Sequence, residues 1–212
     1  MKIKPDTIDY FVTGGKIKVK TLKGMLQNGY QKKPHSNVDG YEIDKDLSGQ
    51  RAQVYYNKDT NHAVISHRGT KGIHDMFTDV QLMFGHKKNK RFAHGKKVTD
   101  QAIKKYHDAN VTVVGHSLGA SIAQEANKPH KKELVTLNGA VAPLDLLHKQ
   151  QDHEFVVRTK HDPVSYLHSL NPKKNDKNTT TIKSKSLNLL NEHKTDVLDR
   201  LDENDEIGKN FD

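Results

Sequence analysis

A serine flanked by glycines at two-residue spacing, in Gly115-His116-Ser117-Leu118-Gly119, is the strongest chemical signal in this 212-residue chain. The apolar β-branched run Val111 to Gly115 precedes it and a helix-forming segment follows, so Ser117 falls on a strand-to-helix corner. Such a corner forces the serine backbone into a strained conformation and lifts its hydroxyl clear of the sheet. Gly115 and Gly119 are small enough for helix and strand to pass closely there. The helix N-terminus then points free N–H groups and a positive dipole end at negative charge developing beside Ser117. A serine that merely caps a helix is the bland alternative; the strand before and the helix after favour a nucleophile.

A nucleophilic serine needs a base, and the base needs an orienting acid. The predicted strand Glu154 to Thr159 ends at Lys160-His161-Asp162-Pro163-Val164. An acid just past a strand's C-terminal end lies on the sheet edge where ligands bind, which makes Asp162 the candidate acid, against the plainer role of an Asp-Pro turn starter. The chain has 14 histidines. His161 and His116 adjoin Asp162 and Ser117, so their side chains diverge from those neighbours in an extended backbone. His168 follows the acid on the same loop but has no clear route to the serine. His193 comes just after a predicted strand at Thr179 to Ser184, which would return it to the edge holding Asp162 and Ser117. His193 is the favoured base, with His168 as the alternative and a surface histidine at a helix start as the plainer reading.

On these pieces, GHSLGA at Gly115 to Ala120, HRGT at His67 to Thr70, HDPVSYL at His161 to Leu167 and the late His193, the chain resembles the class 3 (fungal-type) lipases of the α/β-hydrolase superfamily. The resemblance spans about two thirds of the sequence in the family's order, and the order serine, acid, histidine is that of α/β-hydrolases. It implies an α/β fold, a lipase or phospholipase A1 type of ester hydrolysis with no cofactor, and an oxyanion hole whose second half comes from Arg68-Gly69-Thr70. A tetrahedral intermediate requires two preorganised N–H donors; the backbones of Thr70, with its hydroxyl helping, and Leu118 are assigned to them. The family also implies a lid in the stretch after HRGT, where Phe77 and Asp79 match, although the chain contains no tryptophan.

These residues require a frame. Gln50 to Tyr56 and His62 to His67 read as strands joined by a turn, and Leu134 to Leu137 as a buried strand. Gly72 to Phe84, Lys90 to His107 and Asn191 to Leu201 read as helices. The whole is expected to be a mostly parallel central sheet with helices on both faces, in a single domain over residues 1–212. Residues 1–40 form a peripheral strand or helix and a loop, and 202–212 an acidic solvated tail.

Lys and Arg exceed Asp and Glu by 35 to 26, a net charge of +9, so an anionic partner is expected. The densest basic run, with Lys87, Lys88, Lys90 and Arg91 beside the expected lid, suits an anionic membrane surface as well as a solvated helix face. No recognition-helix or aromatic-basic signature supports nucleic acid. A non-catalytic lipid-surface or scaffold protein stays open as the alternative to an enzyme. Without cysteine there are no disulfides or thiolates, and no histidine spacing implies a metal. No stretch approaches the length of a membrane span or a secretion signal, so a soluble protein of undetermined compartment is expected.

Overall fold

Strands in which every residue from His62 to His67 and from Val111 to His116 is buried can only be central, and they lie in the middle of one eight-stranded sheet. The structure, a computed structural model, describes residues 9, 12–14, 16–71, 90–140, 150–186, 188 and 190–201. The strands are β1 (Asn37–Val38), β2 (Tyr41–Ile43), β3 (Ala52–Asn57), β4 (His62–His67), β5 (Asn110–His116), β6 (Glu133–Leu137), β7 (Glu154–Thr159) and β8 (Thr179–Ile182). They lie side by side in chain order. Pairing is antiparallel from β1 to β4 and parallel from β4 to β8. This is the α/β architecture expected, with the β3–β4 hairpin closed at Asn57 opposite His62.

The first hairpin lies in what reads as loop. Val38 pairs with Tyr41 across Asp39-Gly40, whose φ values are 50° and 82°. Two successive left-handed residues match the twist of a two-residue hairpin turn. Strands of two and three residues are too short to show alternation, which is why they escape a periodicity argument.

Among the described residues, three helices of ten residues or more cover the sheet: α1 (Val19–Asn28), α2 (Lys90–Lys105) and α3 (Leu118–Asn127). Within residues 1–40, expected to be peripheral, helix α1 forms part of the core. Leu22, Met25 and Leu26 stand at helical spacing on α1 and are buried against Tyr55, Val64, Val114 and Leu137. On the opposite face, Val98, Ala102 and Ala123 of α2 and α3 pack on Val54, Ile65 and Val113. Val64 against Ile65, and Val114 against Val113, show the period of two that gives each strand two buried faces. The expected helix over 72–84, Phe77, Lys87, Lys88 and the tail 202–212 lie outside the described residues.

The expected helix from Asn191 to Leu201 is instead two 3₁₀ segments, Asn191–His193 and Thr195–Leu201. Lys194 between them is extended at φ −70° and ψ 157°, which interrupts any i→i+4 ladder. The returning segment is held by the Glu192 carboxylate. It is fully buried, pairs with Arg200 at 2.6 Å and accepts from the N–H groups of Ser186 at 2.7 Å and Lys185 at 3.2 Å. Burial alone would raise this acid; the Arg200 guanidinium and the two N–H donors outweigh it and hold the carboxyl below its ordinary range.

A depressed carboxylate contributes stability that is complete above its unfolded pKa and is lost as pH falls through its folded value. Removing one partner of a buried pair costs about 3 kcal/mol, or about 6–12 °C in a chain of this size. We expect Arg200→Leu to lower the melting temperature by that amount at pH 7, and the gap to the parent chain to narrow below pH 4 as Glu192 protonates. Thermal melts at both pH values check this, and equal melting temperatures at pH 7 would remove the pair from the account.

Candidate active site

Ser117 sits where β5 ends and α3 begins, with φ 59° and ψ −130°, and its side chain makes no capping hydrogen bond to α3. The helix-cap reading of the serine therefore does not describe this corner. A left-handed φ on a non-glycine residue is strained. Here it is imposed by close packing: a Cβ on Gly115 would meet the Gly119 carbonyl, and one on Gly119 would meet the His67 carbonyl and lie 2.7 Å from the Arg68 carbonyl carbon. Helix α3 is thereby pressed onto the end of β4 as well as β5, and Ser117 is buried at 1% exposure.

Asp162 follows β7 and is wholly buried. One carboxylate oxygen accepts from the Ser165 N–H at 2.7 Å and the other bonds His193 Nδ1 at 2.7 Å. With Nδ1 donating to the acid, Nε2 carries the lone pair. That nitrogen is shielded from solvent and makes no hydrogen bond among the described residues. His193 and Ser117 line one cavity of about 360 Å³, together with His116, Thr70 and Tyr30. His168 lines no part of this cavity and makes no bond to Asp162; it is buried elsewhere, and burial, then the charges of Arg158 and Lys174, push its ring down to about 4. Of the two histidines weighed, the structure brings His193 to the acid and the serine.

Thr70 lies three residues past the end of β4, in a loop tied down by Arg91. The Arg91 guanidinium donates to the carbonyls of Arg68 and Gly69 at 3.1 and 3.2 Å and to Thr70 Oγ1 at 3.3 Å. Arg91 thus braces this loop, because three acceptors converge on its planar fork. Lys90, at the start of α2, is exposed. The Thr70 hydroxyl, accepting from Arg91, still has its own proton to donate. Leu118, whose N–H is the other expected donor, opens α3 and is buried.

Tyr30 and Asn138, which the sequence does not flag, join these pieces. Tyr30, just past α1, receives the Gly69 N–H at 3.1 Å and bonds His116 Nδ1 at 2.7 Å, while His116 Nε2 bonds the carbonyl of His193 at 2.7 Å. Since a carbonyl only accepts, His116 must carry its proton on Nε2 and Tyr30 must donate to Nδ1. Burial, then the neighbouring His193, push His116 down to about 3, so the ring stays neutral. Burial likewise pushes Tyr30 up to about 12, which keeps its proton in place as a donor. Asn138, after β6 at φ 44°, donates to the Glu192 carbonyl at 2.9 Å and accepts from the Thr159 N–H at 2.8 Å. The His193 segment is therefore gripped at two successive carbonyls as well as by its own ring. Asparagine's tolerance of the left-handed region is the one local signal that could have marked Asn138.

Thr70, Ser117, Asn138 and Asp162 all lie just past the C-terminal ends of parallel strands, where open α/β sheets place their ligands. Among solved structures, the fold is similar to Lip2 lipase of Yarrowia lipolytica, with 14% identity, a TM-score of 0.53 and coverage of 85% of this chain and 80% of that one. It is equally similar to a mutant of MDLA from Penicillium cyclopium, at 15% identity, TM-score 0.53 and coverage of 88% and 83%. The chain spans 62% of the length of the Rhizomucor miehei lipase in its propeptide complex. No protein of curated function matches. Residues 26–164 match the phospholipase-like family model of the Tle-like phospholipase domain, well over half of the chain. With a lipase-type α/β-hydrolase fold and that match, the chain belongs to the family of the Tle-like phospholipase domain.

Proposed function

We propose that this protein is a serine hydrolase that cleaves carboxylic esters of lipids, with phospholipids as the leading substrates, through Ser117, His193 and Asp162. The observation that carries the reading is the 2.7 Å bond from His193 Nδ1 to a buried Asp162, which leaves Nε2 unbonded beside the cavity that Ser117 lines. Nε2 takes the Ser117 proton as Oγ attacks the acyl carbonyl carbon, and Asp162 stabilises the imidazolium that forms. The N–H groups of Thr70 and Leu118 receive the oxyanion. Collapse expels the alcohol, which takes the proton from His193, and leaves an acyl-serine. Water, deprotonated by the same nitrogen, then releases the fatty acid. The match to a phospholipase-like family supports the substrate class; no cofactor enters any step. An anionic membrane surface belongs to the same proposal, supported by the net charge of +9 and the exposed Lys90.

Ser117→Ala should retain the fold and lose turnover by roughly 10⁴ to 10⁶, with His193→Ala nearly as damaging and the double variant little worse than either, because triad members act as a unit. Hydrolysis of p-nitrophenyl butyrate and of phosphatidylglycerol vesicles measures this. A Ser117→Ala protein as active as its parent would refute the proposal.

Tyr30 spends its hydroxyl on the Gly69 N–H and His116 Nδ1 and acts by positioning. Tyr30→Phe keeps the ring but leaves both the Gly69 N–H and His116 Nδ1 without their partner, at about 1–3 kcal/mol for each unsatisfied buried group. The expected result is a fall in kcat of about tenfold or more with KM nearly unchanged. A change confined to KM would assign Tyr30 to substrate contact instead.

A further inference from the structure

A second cavity of about 360 Å³ adjoins the first, and Gln31 and Lys71 line both. Among the described residues its wall carries Lys32, Lys45, Arg68 and Lys71 and no carboxylate. Surface lysines alone would be ordinary. Arg68 is not ordinary: it is half-buried, its Nε is sealed from solvent, and its guanidinium donates no hydrogen bond among the described residues. The Tyr30 ring lies 5.7 Å from the guanidinium carbon. Burial, with Arg51 adding like charge, works against its protonated form. A cation partly withdrawn from water without a counter-charge is an unfavourable arrangement in a chain that places Asp or Glu against Lys23, Lys105 and Arg200. Such an arrangement is stable once an anion enters.

Arg68 also stands next to Gly69 and two residues before Thr70, so the cationic cavity and the proposed oxyanion donors are parts of one loop. We propose that this second cavity is a phosphoryl-binding subsite, in which Arg68 with Lys32, Lys45 and Lys71 holds the phosphodiester of a phospholipid headgroup while the ester of the same molecule lies over Ser117. The inference rests on the acyl-hydrolase reading for the placement of the ester. In a glycerophospholipid only the glycerol carbons separate the scissile ester from the phosphodiester, matching two cavities that share a wall. Guanidinium suits the role because its fork matches two phosphate oxygens, while the lysines add point charge at the open rim.

The test uses the full-length Ser117→Ala protein, so that bound lipid is not consumed, and calorimetric titration with soluble dihexanoyl phosphatidylglycerol, with dihexanoylglycerol and with inorganic phosphate. The phospholipid should bind about tenfold or more tighter than the phosphate-free diacylglycerol, the effect of one charge-assisted hydrogen-bond set. Adding Arg68→Gln should abolish that preference, and the exposed pair Lys32→Gln and Lys45→Gln should reduce it severalfold without disturbing the fold; melting curves check folding in each case. Inorganic phosphate should compete with the phospholipid. Equal affinity for the two lipids, a preference that survives both sets of variants, or phosphate binding that leaves phospholipid binding untouched would each overturn the subsite, the last by assigning the cations to free phosphate. Turnover of p-nitrophenyl butyrate by the parent chain tests the hydrolase reading separately, since the binding preference is read in a protein that performs no chemistry.

Discussion

The left-handed backbone of Ser117 is the constraint around which the other elements are arranged. A non-glycine residue at φ 59° costs about 1–3 kcal/mol and persists only where its surroundings over-determine it. Three elements do so here. The Ser117 N–H is taken by the Leu137 carbonyl of β6 at 3.1 Å, and the Ser117 carbonyl is shared by the N–H groups of Ala120 in α3 and Ala140 beyond β6, at 3.0 and 3.2 Å. The approach of Gly119 to the end of β4 closes the third side. The two apolar layers can therefore be read as a foundation: the central strands are buried on both faces because the turn at their edge tolerates no slippage.

Around that corner the polar groups engage both ring nitrogens of His116 and leave Nε2 of His193 unbonded among the described residues. His116 and His193 lie with ring centroids 4.9 Å apart. Two imidazoliums at that separation would repel, and burial together with that neighbour keeps His116 neutral with both nitrogens engaged. His193 bonds the Asp162 carboxylate through Nδ1 and keeps Nε2 toward the cavity that Ser117 lines. Tyr30, His116 and the carbonyl of His193 connect α1, β5 and the returning segment through groups that keep their protons.

The parts of this arrangement legible in the sequence are those with local causes. Val111 to Gly115 followed by GHSLG reads as strand, corner and helix because apolar β-branched residues give way to small ones within a single turn. Glu154 to Thr159 reads as a strand with an acid past its end, and the structure has a strand over those same residues. Less legible are features caused by distant partners. The bond from Tyr30 to His116 joins residues 86 apart, and Arg91 reaches back 23 residues to the Arg68 carbonyl, so neither leaves a periodic or spacing signal. The segment after β8 reads as helix from its composition, yet Glu192 takes backbone N–H groups from Ser186 and Lys185, and that tertiary demand overrides helix propensity. Burial of α1 is hidden for the opposite reason: alternating lysines mask an apolar stripe that becomes visible only at helical spacing.

The sheet is assembled in chain order, each strand beside the one before it. Contacts between neighbouring strands can accordingly form as successive segments become available, with the long loop closures that slow folding kept few. The active groups do not follow that schedule evenly. The elbow needs only β4 to β6 and α3, whereas the buried acid waits for β7 and the histidine for the segment beyond β8, which Glu192 and Arg200 fasten last. A chain folded only that far would hold the strained corner at Ser117 before Asp162 and His193 are in place, so the chemistry proposed above depends on the C-terminal end of the sheet being complete.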